Sequence, residues 1–382
     1  FSSMSPQTYK HVIVGSGIFG AVIAERIAND LGEPVLVIEK RDHTGGNCHS
    51  VDHSETGIHY HLYGTHIFHT SDTEVWKYIN RFTEFNGYRH QVLTTFKNKV
   101  YQMPINLETI NSFYGLNLKP FEVTAFIETE AHKSGIDQPS NFEEKAISMM
   151  GYPLYEAFIK GYTAKQWGCD PKQLPASILK RLPFRTNYDE SYFFDSWQGI
   201  PIHGYSPIFD KLLANPRIQV ELKTDFFEIR DELAEDAKII YSGPIDKLFG
   251  YKYGRLEWRG LSFEEKIREV SDFQGTSVMN YAEEQIPYTR IHEPRHLHPE
   301  KVYPDSQTLT IKEFSHADKG DDPSYPLGGA QNKALLEKYQ AELIQHENLC
   351  VGGRLGDYKY YDMDQTIAAA LSTYDKISSQ TK

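Results

Sequence analysis

Cysteine is scarce: Cys48, Cys169 and Cys350 are odd in number and far apart. That excludes a disulfide framework and fits a reducing compartment. No run of eighteen apolar residues occurs, which excludes a transmembrane helix. The opening residues carry neither the basic stretch nor the apolar core of a signal peptide, so the expected location is the cytoplasm. Basic residues are the minority charge, 40 against 52 acidic, and no basic stripe offsets the formal net charge of −12. A nucleic-acid partner is excluded on that ground. Internal repeats and low-complexity tracts are missing too. Histidine is the exception to scarcity, with seven of the 16 between His43 and His69. His59 and His61 share a strand face, but no carboxylate or cysteine joins them at ligand spacing, so no metal is expected.

What is present begins with a nucleotide fingerprint. His11-Val12-Ile13-Val14 reads as a short buried strand, and Gly15-Ser16-Gly17-Ile18-Phe19-Gly20 follows it directly. Residues 18–31 read as a helix, and Val35-Leu36-Val37-Ile38-Glu39 as a second buried strand ending on a carboxylate. Gly15 permits the tight turn, Gly17 lets backbone approach a pyrophosphate, and Gly20 allows close helix–strand packing. The helix N-terminus offers free N–H groups to phosphate, and Glu39 lies near the distance of a ribose-binding acid. A second glycine turn, Thr44-Gly45-Gly46-Asn47, follows that acid and favours FAD over NAD.

At 382 residues the chain is too long for one simple core. The expected class is α/β: an FAD-binding Rossmann-like domain with an inserted helical domain and an antiparallel β-sheet domain. The first part of the FAD domain covers 4–105, including a helix over 72–82 with Asp72 as its cap. Helical spacing over 121–133, 141–150 and 154–165 marks an inserted domain at 106–180. A loop and a return to the FAD domain occupy 181–240, with strands over 218–222 and 238–242. Alternation over 256–263, 276–281 and 308–314 marks an antiparallel platform within 241–345. The strand Leu349-Cys350-Val351 and a helix begun by Asp362 complete the FAD domain at 346–382. Its N-terminus could stabilise charge on a reduced ring. Tyrosine and phenylalanine are abundant, at 25 and 21. A tyrosine surplus suits a site lined with hydroxyl donors, and an acidic chain that binds an anion must gather its arginines locally.

Several stretches resemble bacterial UDP-galactopyranose mutases. They are Gly64-Thr65-His66-Ile67-Phe68-His69-Thr70, Ile159-Lys160-Gly161-Tyr162-Thr163-Ala164-Lys165-Gln166-Trp167-Gly168, and Tyr358-Lys359-Tyr360-Tyr361-Asp362-Met363. Leu179-Lys180-Arg181, Gly199-Ile200-Pro201, Val278-Met279-Asn280 and Pro287-Tyr288-Thr289-Arg290 extend the resemblance over essentially the whole chain. It implies a homodimeric flavoenzyme that interconverts UDP-galactopyranose and UDP-galactofuranose, a precursor of cell-wall polysaccharide, with no net redox change. In that family the flavin is reduced, and its N5 is the nucleophile at the anomeric carbon; the sugar then opens and recloses through its other hydroxyl.

The resemblance also implies roles. Arg181 and Arg290 take the diphosphate positions, where a guanidinium pairs bidentately with phosphate oxygens. Tyr192, Tyr325 and Tyr360 donate to the same phosphates. Phe158 and Tyr162, one helical turn apart, flank uracil, and Asn280 reads its edge. Thr163 and Trp167 line the cleft, and Asn86 contacts substrate. For FAD, Asn47, Arg354 and Asp362 join Gly15, Gly17, Gly20, Gly46 and Glu39, with Ser16, Phe19, Lys40, His61 and Leu62 beside them. Arg354 neutralises the FAD pyrophosphate, Asp362 holds a ribityl hydroxyl and Met363 presents its N–H to the ring. Phe226 sits near adenine. His66 lies beside the flavin, where it tunes the redox state. The segment 182–189 is expected to be a lid that closes on nucleotide. Two rivals share the nucleotide fold. An FAD-dependent oxidoreductase of the amine-oxidase type would have an apolar tunnel instead of arginines and tyrosines, and a non-catalytic nucleotide-binding module would need no substrate cleft.

Overall fold

A computed structural model describes residues 4–381. Five parallel strands form the nucleotide sheet, in the spatial order Leu349–Val351, Lys238–Tyr241, His11–Val14, Val35–Ile38, Ile218–Glu221. Val12, Ile13, Val35 and Val37 are fully buried, as expected for a parallel sheet covered on both faces. The two expected return strands dock one on each side of the fingerprint pair. The fingerprint helix runs Ile18–Arg26 and continues as a π-helical turn, Ile27–Leu31, ended by Gly32 in the left-handed region. It packs on the terminal helix Met363–Thr381, and Val22, Ile23 and Ile27 share one core with Ile367, Ala370 and Ile377.

Between the second and third of these strands in chain order, the chain builds a helical unit. Leu107–Tyr114, Pro120–His132 and Phe142–Met150 are followed by Tyr152–Tyr155, which runs through a π-helical turn, Glu156–Lys160, into Gly161–Trp167. Asn106 and Thr109 form a capping box, and Asn141 Oδ1 accepts from Glu144 N at 2.8 Å. Ile110, Val123, Ala146, Met150 and Leu154 form the dry centre of the unit.

The second sheet has seven strands, in the order Tyr325–Pro326, Trp258–Arg268, Thr308–Asp318, Arg290–His292, Val278–Tyr281, Val92–Phe96, Lys99–Met103. All its pairings are antiparallel except that of Val278–Tyr281 with Val92–Phe96. The hairpin over 92–103 falls before the sequence-based boundary at 105, yet it extends this sheet. Its two-residue turn is Lys97-Asn98, with φ of 48° and 62°, the left-handed pair that matches strand twist. Neither residue is glycine, so the turn carries no glycine signal. At the other end of the stretch, the helix Ala330–Ile344 leaves the platform and buries Tyr339 with Ile245 and Trp258. Among the described residues no helix is long and apolar enough to cross a membrane.

Candidate active site

The fingerprint turn folds as its glycines require. Gly15 has φ +101°, and a Cβ there would lie 2.2 Å from Ser242 Oγ. A Cβ on Gly20 would meet the Gly15 carbonyl oxygen at 2.0 Å, so helix and strand touch backbone to backbone. A Cβ on Gly46 would stand 3.1 Å from Gly17 Cα, so the two glycine turns face each other across a cradle. No side chain caps the first turn of the fingerprint helix. Glu39 is buried, its Oε1 accepting from Ser16 N and Oγ at 3.1 and 2.5 Å, and its Oε2 from Arg41 N at 3.0 Å. Arg354 donates from Nη1 to the Ser324 carbonyl, and burial lowers its pKa. A fixed carboxylate, an uncapped helix start and a desolvated cation fit a dinucleotide's ribose and pyrophosphate.

From this cradle a continuous cavity of about 740 Å³ reaches the second sheet. There the register sets the chemistry: Asn280 lies opposite Arg290, and Arg290 opposite Glu313, on three neighbouring strands. Residues directly opposite share a face, so amide, guanidinium and carboxylate form one row. Arg290 Nε stands 3.2 Å from Glu313 Oε2, and His292 Nε2 donates to Glu313 Oε1 at 3.0 Å. Burial alone would raise the Glu313 carboxyl, but Arg290 and His292 outweigh it and hold it at about 2. Arg290 in turn is desolvated, yet Glu313 keeps it firmly protonated. Burial lifts the Tyr162 phenol to about 12, so it remains a neutral donor. His66 donates from Nδ1 to the Gly64 carbonyl at 2.7 Å, and burial pulls the ring down to about 4. Neutral at ordinary pH, it keeps Nε2 as an acceptor.

The cavity wall brings together Gly15, Ser16, Gly17, Phe19, Glu39, Lys40, Gly46, Asn47, His66, Phe226, Arg354, Asp362 and Met363 with Tyr162, Tyr192, Asn280, Arg290, Tyr325 and Tyr360. Other expected site residues stand apart from it. Gly20 supports the turn from behind. His61 lies one shell back, its Nδ1 accepting from His66 N at 2.9 Å, and Leu62 packs against the cluster of Ile58 and Ile311. Thr163 is buried, and Trp167 stacks edge-on against Tyr325 at 5.7 Å. Asn86 spends its amide on structure: Oδ1 accepts from Tyr88 N and Ile200 N, while Nδ2 donates to Leu297 O and Glu300. Phe158 is only 2% exposed and packs against Phe96, Tyr101 and Phe113 in the helical core. The expectation of one shared face with Tyr162 assumed a regular helix, and the π-helical turn shifts that register. Arg181 is exposed, in an irregular stretch three residues past the short turn Ala176–Ile178.

Sequence reasoning missed several wall residues. Glu313 is one. Another is His69, whose ring stacks on Phe193 at 3.6 Å between Asp195 at 3.2 Å and Asp362 at 3.8 Å. Arg41 covers the Tyr63 ring at 4.2 Å. His59, weighed as a metal ligand, instead meets Asp52 and Ser50 at 2.8 and 2.9 Å. A different trio, Asp272, Glu293 and His296, brings ligand atoms together, but its carboxylates already accept from Phe273, Gln274 and Gly275 N–H groups.

The sequence model of the UDP-galactopyranose mutase family matches residues 157–360, and that of an NAD(P)-binding Rossmann-like domain matches 13–82. A probable UDP-galactopyranose mutase of Klebsiella pneumoniae is 43% identical over 369 residues, covering 96% of this chain and 94% of the relative. A dTDP-fucopyranose mutase of Escherichia coli is 39% identical, covering 95% and 96%. The crystal structure of a reduced UDP-galactopyranose mutase superposes with a TM-score of 0.72 at 16% identity, covering 98% of this chain and 96% of that one. The likeness in fold thus persists where sequence has drifted far. On the family match and the near full-length identity, the chain belongs to the UDP-galactopyranose mutase family.

Proposed function

We propose that this chain is an FAD-dependent isomerase that interconverts UDP-galactopyranose and UDP-galactofuranose. The observation that carries the reading is one cavity joining a dinucleotide cradle to a guanidinium row ringed by tyrosines. Gly17, Gly46, Glu39 and Arg354 would hold the nucleotide part of FAD, and Asp362 and Met363 its flavin end. When bound and reduced, the flavin supplies a nucleophilic nitrogen for the anomeric carbon, so no electrons are consumed overall. The protein's part is electrostatic. Arg290, fixed by Glu313, binds the diphosphate and stabilises the charge that grows on UDP as it leaves. Tyr192 and Tyr360 add neutral donors that bring no further charge, while Tyr325 donates its hydroxyl to Gln166 O and shapes the wall beside them. Tyr162 and Asn280 hold the base. Arg181 would join the clamp by closure of its exposed segment, which excludes water from the opened sugar. An amine-oxidase reading fits less well, because the far wall is a charged row and not an apolar tunnel.

The name of the Escherichia coli relative raises dTDP-fucopyranose as a competing substrate. The test offers both. Denatured protein should release FAD, identified by chromatography, and reduced protein should convert UDP-galactofuranose to UDP-galactopyranose faster than it converts the dTDP-fucose pair. Absence of FAD overturns the cofactor, and preference for dTDP-fucose overturns the substrate.

A further inference from the structure

One half-buried cation has no part in the cavity. Lys165 lies three residues after Tyr162 on the helix Gly161–Trp167. Its Nζ donates to Tyr281 O at 2.6 Å and to Tyr288 O at 2.9 Å. Tyr281 follows Asn280 directly, and Tyr288 precedes Arg290 by two residues. The two carbonyls therefore mark the two ends of the loop that joins the Asn280 strand to the Arg290 strand. Among the described residues no carboxylate pairs directly with Nζ; Glu283 and Glu284, within that loop, act from farther off. The seam beneath is close, since a Cβ on Gly161 would lie 2.4 Å from Ala282 O and 2.6 Å from Glu284 N. Arg259 fixes the same helix from the strand Trp258–Arg268, two places along the sheet from the Arg290 strand, donating to Gln166 O and Lys165 O at 3.1 and 3.2 Å.

A half-buried ammonium held only by carbonyls is costly, and desolvation pulls this one down to about 8. An apolar side chain would fill the seam without that cost, but it could not tie two carbonyls of different chain segments. On the reading of the cavity given above, we propose that Lys165 is a positioning residue for the nucleotide half of the substrate. Its ammonium staples the helix that carries Tyr162 to both ends of the Asn280–Arg290 loop, and so holds the stacking ring and the base-reading amide in register. Arg290 is anchored separately by Glu313, so the effect falls on nucleotide binding more than on turnover.

The test uses reduced holoenzyme with UDP as the titrant and UDP-galactofuranose as the substrate. Lys165→Met should raise the Kd for UDP and the KM by about tenfold or more, with kcat lowered no more than about threefold and FAD content unchanged. Lys165→Arg, which keeps donors for both carbonyls, should recover most of the affinity. In an Asn280→Ala background, Lys165→Met should weaken UDP by clearly less than it does alone, because one of the two groups it holds in register is gone. A stabilising role alone would lower Tm while leaving UDP affinity of the folded enzyme intact. UDP binding within about twofold of wild type in Lys165→Met, or full additivity with Asn280→Ala, overturns the proposal. Should Lys165→Met not accumulate as holoenzyme, Lys165→Gln, whose amide ends one bond short of Nζ and does not bridge both carbonyls, is held to the same two criteria. Wild-type enzyme that does not bind UDP overturns the reading of the cavity instead, and the proposal with it.

Discussion

At the scale of single residues the account rests on Arg290 and its neighbours in register. Losing a charge-assisted contact to developing charge should cost on the order of 3 kcal/mol, or about a hundredfold in rate. Arg290→Ala should therefore turn over UDP-galactofuranose about a hundredfold more slowly while FAD content stays normal. Lysine at 290 should recover only part, lacking the planar fork. Near-normal turnover in the alanine variant would put the substrate elsewhere. Glu313 makes a separate prediction in pH. Its folded carboxyl, at about 2, lies below its unfolded value near 4.5, so the stability it contributes is complete above about pH 4.5 and lost as pH falls towards 2. Urea unfolding should show wild type more stable than Glu313→Gln at pH 6, with the gap narrowing steadily to pH 3; a constant gap contradicts the pairing. Arg290 and Asn280 were legible because each ends a motif. Glu313 was not, because it falls on the face of Leu309 and Ile311, where the alternation calls for an apolar side chain, and nothing in the sequence shows Arg290 lying opposite it.

Among the elements, the fingerprint and its helix were the most legible, since three glycines at fixed spacing state a backbone contact. Gly20→Ala places a methyl against the Gly15 carbonyl with nothing flexible to yield. Purified Gly20→Ala protein should accordingly lose most of its bound FAD and melt lower; full FAD occupancy would show that the helix can retreat. The hairpin at Lys97-Asn98 and the π-helical turn before Tyr162 were not legible, because both depend on local backbone geometry that no residue type there demands. The segment after Arg181 is exposed at Leu182 and Tyr188, while Arg185 donates to Asp189 O and Ser191 O at 3.0 and 2.7 Å and its backbone N–H to Ile105 O at 2.8 Å, with Phe184 buried in the helical core. Apolar side chains left in water on a tethered loop favour closure over a ligand. UDP added to reduced enzyme should slow hydrogen exchange across 180–190 in wild type and much less in Arg181→Ala. Unchanged exchange at saturating UDP would remove the lid from the mechanism.

For the molecule as a whole, the chain leaves its parallel sheet twice, once before the strand Ile218–Glu221 and again after Lys238–Tyr241. The first excursion supplies Tyr162 and the second supplies Asn280, Arg290 and Glu313, so the substrate wall is assembled from both against the cofactor cradle. On the proposed function, the shared nucleotide domain would hold the flavin and the two excursions the diphosphate. That function requires a reduced flavin that is not consumed. The direct measurement is anaerobic: enzyme reduced by one equivalent of dithionite, freed of excess reductant, and given UDP-galactofuranose in large excess over flavin. Many turnovers per flavin are expected, with the flavin spectrum still reduced at the end, and negligible turnover by the oxidised enzyme. Product limited to the reductant supplied, or equal activity in the oxidised form, would contradict it.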